Sequence, residues 1–196
     1  MIIKDGIYFI LFTLLLLFIV AVIPYYISVA VFIIFLVYLF FIFYIPKINV
    51  SPFPKTFLSP VNGKVVSINE AILEDKEYNE VTISIRPFKS HINIIPMSGK
   101  VEKIKATYNI NKGNSIESFS EIITEFGNYF IKQISYGFIS KMVNNLYREQ
   151  LVDTGDFFGY IIFKGQLILY IPLNFEILVL ANDRLEAGID VIARLK

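Results

Sequence analysis

The chain has 196 residues, 55% of them hydrophobic, and a formal net charge of +1. That balance argues against a basic nucleic-acid groove, although 19 Phe and 12 Tyr could otherwise stack on bases. The absence of cysteine excludes disulfides, cysteine-ligated zinc and thiolate catalysis.

The hydrophobic excess sits at the start. Gly6 to Pro46 is an uncharged run of 41 residues. As one helix it would reach roughly 60 Å, about twice a bilayer core, so two passes fit where one does not. Pro24 marks the break, giving spans Ile7–Ile23 and Ile27–Tyr44. Tyr25 and Tyr26 suit the headgroup level at the turn. Lys4, Lys47 and Lys55 flank the other side, so the positive-inside rule places both ends in the cytoplasm. The run is too long for the core of a signal peptide, and no small-residue cleavage site follows it. Neither span carries a charge that would suggest a transport path, so the expected role is an anchor. The domain reading is therefore a transmembrane hairpin over 1–46 and a soluble domain over 47–196.

A Pro-rich linker, Pro46 to Pro54, leaves the membrane. Short β-branched segments follow, bounded by turn residues: 63–68, 81–85, 91–95, 100–104, 129–134, 160–163, 167–171, 176–179 and 191–195. Val81-Thr82-Ile83-Ser84-Ile85 alternates with period two, as a half-buried strand does. Ile116–Phe126 reads as the one short helix, with Ser115 as its N-cap. Two late stretches form an imperfect repeat, Leu151 to Ile161 and Arg184 to Ile192, each with a Gly (Gly155, Gly188) in a tight turn between strands. This pattern suggests a mainly β domain with elements resembling a lipoyl-like β-sandwich.

His91 is the only histidine, so imidazole chemistry must use it; a lone His in an apolar strand is more often structural. No second His, Cys or tight carboxylate cluster suggests a metal site. Glu74, Asp75 and Glu77 read as a solvated loop. Gly113, Gly127 and Gly137 lack phosphate-loop spacing, and no Gly-x-Ser-x-Gly elbow exists.

Several phrases taken together resemble the short, membrane-anchored phosphatidylserine decarboxylases. They are Ser59-Pro60-Val61-Asn62-Gly63-Lys64-Val65-Val66, Pro87-Phe88-Lys89-Ser90-His91-Ile92-Asn93, Pro96 to Val101, Tyr170-Ile171-Pro172 and Ala187 to Leu195. The resemblance implies two membrane helices, a β domain and phosphatidylethanolamine synthesis. It also implies a pyruvoyl group made by the chain itself: a serine attacks the preceding carbonyl, the chain is cut, and the serine becomes the electron sink. An Asp–His pair removes the serine proton.

Carried over by residue, His91 falls on the processing histidine and Asn62 on the aspartate. The cleavage serine falls on Gly165, after Phe163 and Lys164, or on Gln166 after a shift of one. No Ser, Thr or Cys occurs from Gly155 to Lys196, and the family's Asn-Glu-Arg phrase is missing near Phe126-Gly127-Asn128. Three losses on a retained scaffold point to a relative that no longer processes itself and carries no pyruvoyl group. Its expected partners are the phospholipid membrane, phosphatidylserine, and a second copy or an active paralogue, with no nucleic acid. Two other readings remain open: an active decarboxylase processed by another route, and a non-enzymatic membrane-tethered β module. Restoring Ser at 165 with Asp at 62 is expected to restore partial cleavage.

Overall fold

In a computed structural model, residues 13–18, 25–43, 53–85, 92–109, 115–137, 141–162 and 164–196 are described. The chain divides into two units, Met1–Tyr44 and Ile45–Lys196. In the first unit, 13–18 and Tyr25–Phe43 are helical. Thr13, Leu16 and Leu17 line a groove with Val31, Phe32 and Phe35. The positions turned outward are equally apolar, among them Leu14, Phe18, Ile33 and Ile34. Side chains of the longer helix are described from Tyr25 to Tyr38, about 21 Å at 1.5 Å per residue. Among the described residues, no helix is long and apolar enough to cross a membrane.

The second unit is built from strands: β1 (Thr56–Leu58), β2 (Gly63–Leu73), β3 (Lys76–Ile85), β4 (Ile92–Ile94), β5 (Gly99–Asn109), β6 (Ser115–Thr124) and β7 (Gly127–Ser135), then β8 (Lys141–Asn144), β9 (Leu151–Val152), β10 (Phe157–Ile162), β11 (Gly165–Pro172), β12 (Phe175–Ile177), β13 (Arg184–Leu185) and β14 (Val191–Leu195). Eight make one sheet in the order β13-β2-β3-β11-β7-β6-β5-β9; β1-β14-β12 and β4-β10-β8 make two smaller ones. The mainly β expectation holds. The helix expected at Ile116–Phe126 does not form: that segment is β6, paired with β5 and β7 on its two sides. Ile116, Phe119, Ile122 and Ile123 imitate helical spacing, but two neighbouring strands satisfy the backbone along both edges, and that outweighs local periodicity. Ser115 is accordingly a buried strand residue and not a cap.

One core joins the three sheets. Val81 and Ile83 of β3, Leu167 and Leu169 of β11, Tyr129 and Ile131 of β7 and Ile122 of β6 meet Phe57, Phe158, Phe175 and Ile192 of the small sheets. The opposite face of the large sheet carries a second cluster of Tyr78, Phe130 and Tyr170, with Phe119 packed against it. The sheet curls over this cluster. Lys103 of β5 meets Glu74, in the β2–β3 turn, at 3.1 Å and the buried Glu121 of β6 at 3.2 Å, although two further strands separate these hairpins in the sheet. Glu74 and Asp75 form that two-residue turn with positive φ, 48° and 61°, as tight hairpins require. Glu74 is thus ion-paired rather than simply solvated.

The domain is internally repeated, and the repeat extends well beyond the two Gly turns. Leu58 N–H donates to Pro96 O at 3.0 Å, and Ile94 N–H donates to Pro60 O at 2.9 Å. Gly188 N–H donates to Ser59 O as Gly155 N–H does to Ile95 O; Ser59 N–H donates to Asp190 O as Ile95 N–H does to Asp156 O. Val65 and Val101 each exchange bonds with a turn, at Asn182–Asp183 and Glu149–Gln150, and Asn182 and Glu149 both have positive φ. Gly155 and Gly188 also have positive φ, 92° and 75°. Strands β1, β2, β13 and β14 therefore correspond to β4, β5, β9 and β10. The β7–β11 pair lies where the two halves meet.

Candidate functional site

Asn62 lies between β1 and β2 in a turn tied from several directions. Ser59 Oγ donates to Val61 O at 2.8 Å, and the Ser59 and Pro60 carbonyls accept from Gly188 and Ile94. Asn62 Oδ1 accepts from Ala187 N–H at 3.1 Å. Three separate stretches of sequence, 59–63, 92–96 and 187–190, thus converge here. The corresponding place in the other half is Ser98, whose hydroxyl accepts from Thr154 N–H at 2.8 Å.

Gly165 opens β11 and is buried. It pairs with Ser135 of β7, and the Lys164 carbonyl before it accepts from Tyr136 N–H at 3.1 Å. Gln166 points to the opposite face of the sheet, where its Oε1 accepts from the Tyr136 hydroxyl at 2.9 Å. Gly63 pairs with Ile85, and Gln166 pairs with Ser84. Asn62 and Gly165 therefore lie at the same end of the large sheet, two strand spacings or roughly 10 Å apart. His91 lies outside the described residues, directly before β4.

A polar patch within the core has no counterpart in the sequence reading. Asn144 Nδ2 donates to Ser118 Oγ at 2.9 Å and Ser120 Oγ at 3.1 Å, and its Oδ1 accepts from Leu146 N–H. Gln133 is paired with Ser118 across β6 and β7. Gln133 and Asn93 are both fully buried, and neither amide has a hydrogen-bond partner. The only hint in the sequence is the string of serines interrupting the apolar positions of β6. The buried phenol of Tyr129 donates to Met97 O at 2.7 Å, and burial pushes its pKa well above the ordinary value. Among the described residues no cluster of His, Cys, Asp and Glu could hold a metal ion.

The profile of the family described as phosphatidylserine decarboxylase matches residues 38–193. The chain belongs to this family. A phosphatidylserine decarboxylase proenzyme of Syntrophus aciditrophicus (strain SB) is 29% identical over 146 residues, covering 68% of each chain. One from Amoebophilus asiaticus (strain 5a2) is 28% identical over 152 residues, 70% of this chain and 67% of that one. A putative archaetidylserine decarboxylase proenzyme of Methanothermobacter thermautotrophicus is 30% identical over 122 residues, 58% and 54% of the two chains. No solved structure matches.

Phosphatidylserine decarboxylases depend on a pyruvoyl group, and Gly165, the residue that the resemblance aligns with the serine, does not fit its formation. Gly165 has no hydroxyl to attack the Lys164 carbonyl and no Cβ–O bond to break in the elimination that would follow. Space is lacking as well. A Cβ at 165 would stand 2.5 Å from Ile161 Cγ2 and 2.6 Å from the Ile134 carbonyl oxygen. The isoleucine arm could turn aside. The carbonyl belongs to β7, held between β6 and β11, and cannot move without parting central strands. At Gly127, the corresponding position of the other half, a Cβ would meet only Pro172, at 3.5 Å. The crowding at Gly165 is thus not shared by its counterpart in the other half.

Proposed function

We propose that this chain is a membrane-anchored phosphatidylserine decarboxylase homologue that remains a single uncut polypeptide and does not decarboxylate. The observation that carries this reading is Gly165: the residue that would become the electrophilic carbonyl has no side chain, and the backbone around it leaves no room for one. Asn62 supports it. Its amide oxygen serves as the acceptor for Ala187 N–H, but an amide supplies no charge to orient and stabilise an imidazolium. The membrane part rests on the uncharged run from Gly6 to Pro46 and on helices apolar on every side, which need apolar surroundings. The soluble domain then faces the cytoplasm, and its partners are membrane phospholipid and an active copy of the enzyme.

Mass spectrometry of the purified chain tests the first part. One species of 22.6 kDa, unlabelled by a carbonyl-reactive hydrazide, is expected. Two fragments divided near Gly165, the smaller blocked at its amino end, would restore the active reading. For the anchor, alkaline carbonate should leave the protein in the membrane pellet; release without detergent would remove the anchor from the proposal.

A further inference from the structure

The internal repeat supplies a comparison that a single copy cannot. Register places Asn93, opposite Gly159, where the other half has Phe57, opposite Ala193. Asn144 corresponds in the same way to Ile177. In the large sheet, Ile83 pairs with Leu167 as Ile122 pairs with Tyr129, so Ser120 corresponds to Val81 and Gln133 to Ile171. Four apolar positions of one half, Phe57, Val81, Ile171 and Ile177, are thus Asn93, Ser120, Gln133 and Asn144 in the other. The fold fills these positions with hydrocarbon once already, so it does not need amides and hydroxyls there.

These polar side chains also share one region of the interior. Asn144 bonds to Ser118 and Ser120, Gln133 is paired with Ser118, and Asn93 and Asn144 flank Gly159 on the same face of their sheet. Ser135, next along the inner face of β7 from Gln133, pairs with Gly165. Both amides of Asn93 and Gln133 are buried without partners. Buried amides left unpaired are costly and rare in native proteins, and a water or another polar group held between them would satisfy them. None of the five side chains carries a charge, so the set matches a neutral donor–acceptor group and offers no counter-ion to a phosphate or carboxylate.

We infer that Asn93, Ser118, Ser120, Gln133 and Asn144 form a binding site for a small uncharged hydroxyl-bearing group, in the half of the domain whose strand β7 pairs with the strand that carries Gly165. This rests on the proposed reading that the chain is an uncut lipid-associated protein, and the occupant it favours is the neutral glycerol end of a phospholipid head.

The test uses the full chain in nanodiscs of phosphatidylcholine alone or doped with phosphatidylglycerol or phosphatidylserine, and follows thermal unfolding. Phosphatidylglycerol should raise the Tm by a few degrees through binding to the folded state alone, and phosphatidylserine should not. Gln133→Ile, which installs the residue of the other half, should match or exceed the parent Tm in phosphatidylcholine and lose the response to phosphatidylglycerol. Equal shifts with both anionic lipids would reveal surface charge only and overturn the inference, as would no shift at all. A Gln133→Ile chain that unfolds at much lower temperature would also overturn it, by showing the amide to be structural. Should that variant not fold, Asn93→Leu provides the same comparison. The mass spectrum of the uncut chain is read separately, so a cleaved chain would defeat the proposed function without deciding this one.

Discussion

At Gly165 two deficiencies coincide, one chemical and one steric, and they predict different things. A missing hydroxyl alone would be repaired by Gly165→Ser. The 2.6 Å approach of the Ile134 carbonyl predicts that this variant stays uncut and loses stability. Overpacking of a tight interior costs roughly 1–3 kcal/mol, which should appear as a lower denaturant midpoint. A Gly165→Ser chain as stable as its parent, or one that cleaves, would contradict this. Asn62→Asp separates the other loss. The carboxylate can still accept from Ala187 N–H, so stability should change by less than about 1 kcal/mol and the chain should remain whole. Cleavage of that variant would contradict this reading of both positions. The absence of hydroxyls after Gly155 in all but the tyrosines was readable from the letters. The crowding was not, because the Ile134 carbonyl is brought to Gly165 by strand pairing.

Among elements, the clasp between the β2–β3 turn and the β5–β6 hairpin is a consequence of sheet curvature. The Glu74 carboxylate and then that of Glu121 hold the Lys103 ammonium above the ordinary lysine range. A raised folded-state pKa contributes stability that is fully present below the unfolded value and is lost as pH rises through the folded one. Lys103→Met should therefore be less stable than the parent at neutral pH, and the gap should close as pH rises beyond the lysine range. Urea titrations at a series of pH values measure it, and a gap that persists at high pH would assign the effect to packing. The same hairpin is where local reading failed. The apolar spacing of Ile116, Phe119, Ile122 and Ile123 is consistent with a helix, and only the neighbours β5 and β7 exclude it. By contrast Val81–Ile85 was legible, because its alternation coincides with a core on one face of the sheet.

For the whole β unit, the two halves should not unfold separately. They share one core and the β7–β11 pairing, so 45–196 should lose structure in a single transition seen equally by far-ultraviolet dichroism and tyrosine fluorescence. Two resolved transitions would mean that the repeats are independent folding units.

The sequence by itself determined the family, the mainly β character, the position of the uncharged run and the absence of hydroxyl side chains after Gly155 in all but the tyrosines. Those properties belong to residue identity and to short-range order along the chain. Tertiary structure decided that 116–126 is a strand, that the Gly turns belong to a repeat of whole half-domains, and that an uncharged polar patch lies beside a backbone too tight for a side chain. Each of these depends on which strands become neighbours. Hydrogen-bond pairing joins residues far apart in the chain, and no local pattern encodes the distance between them.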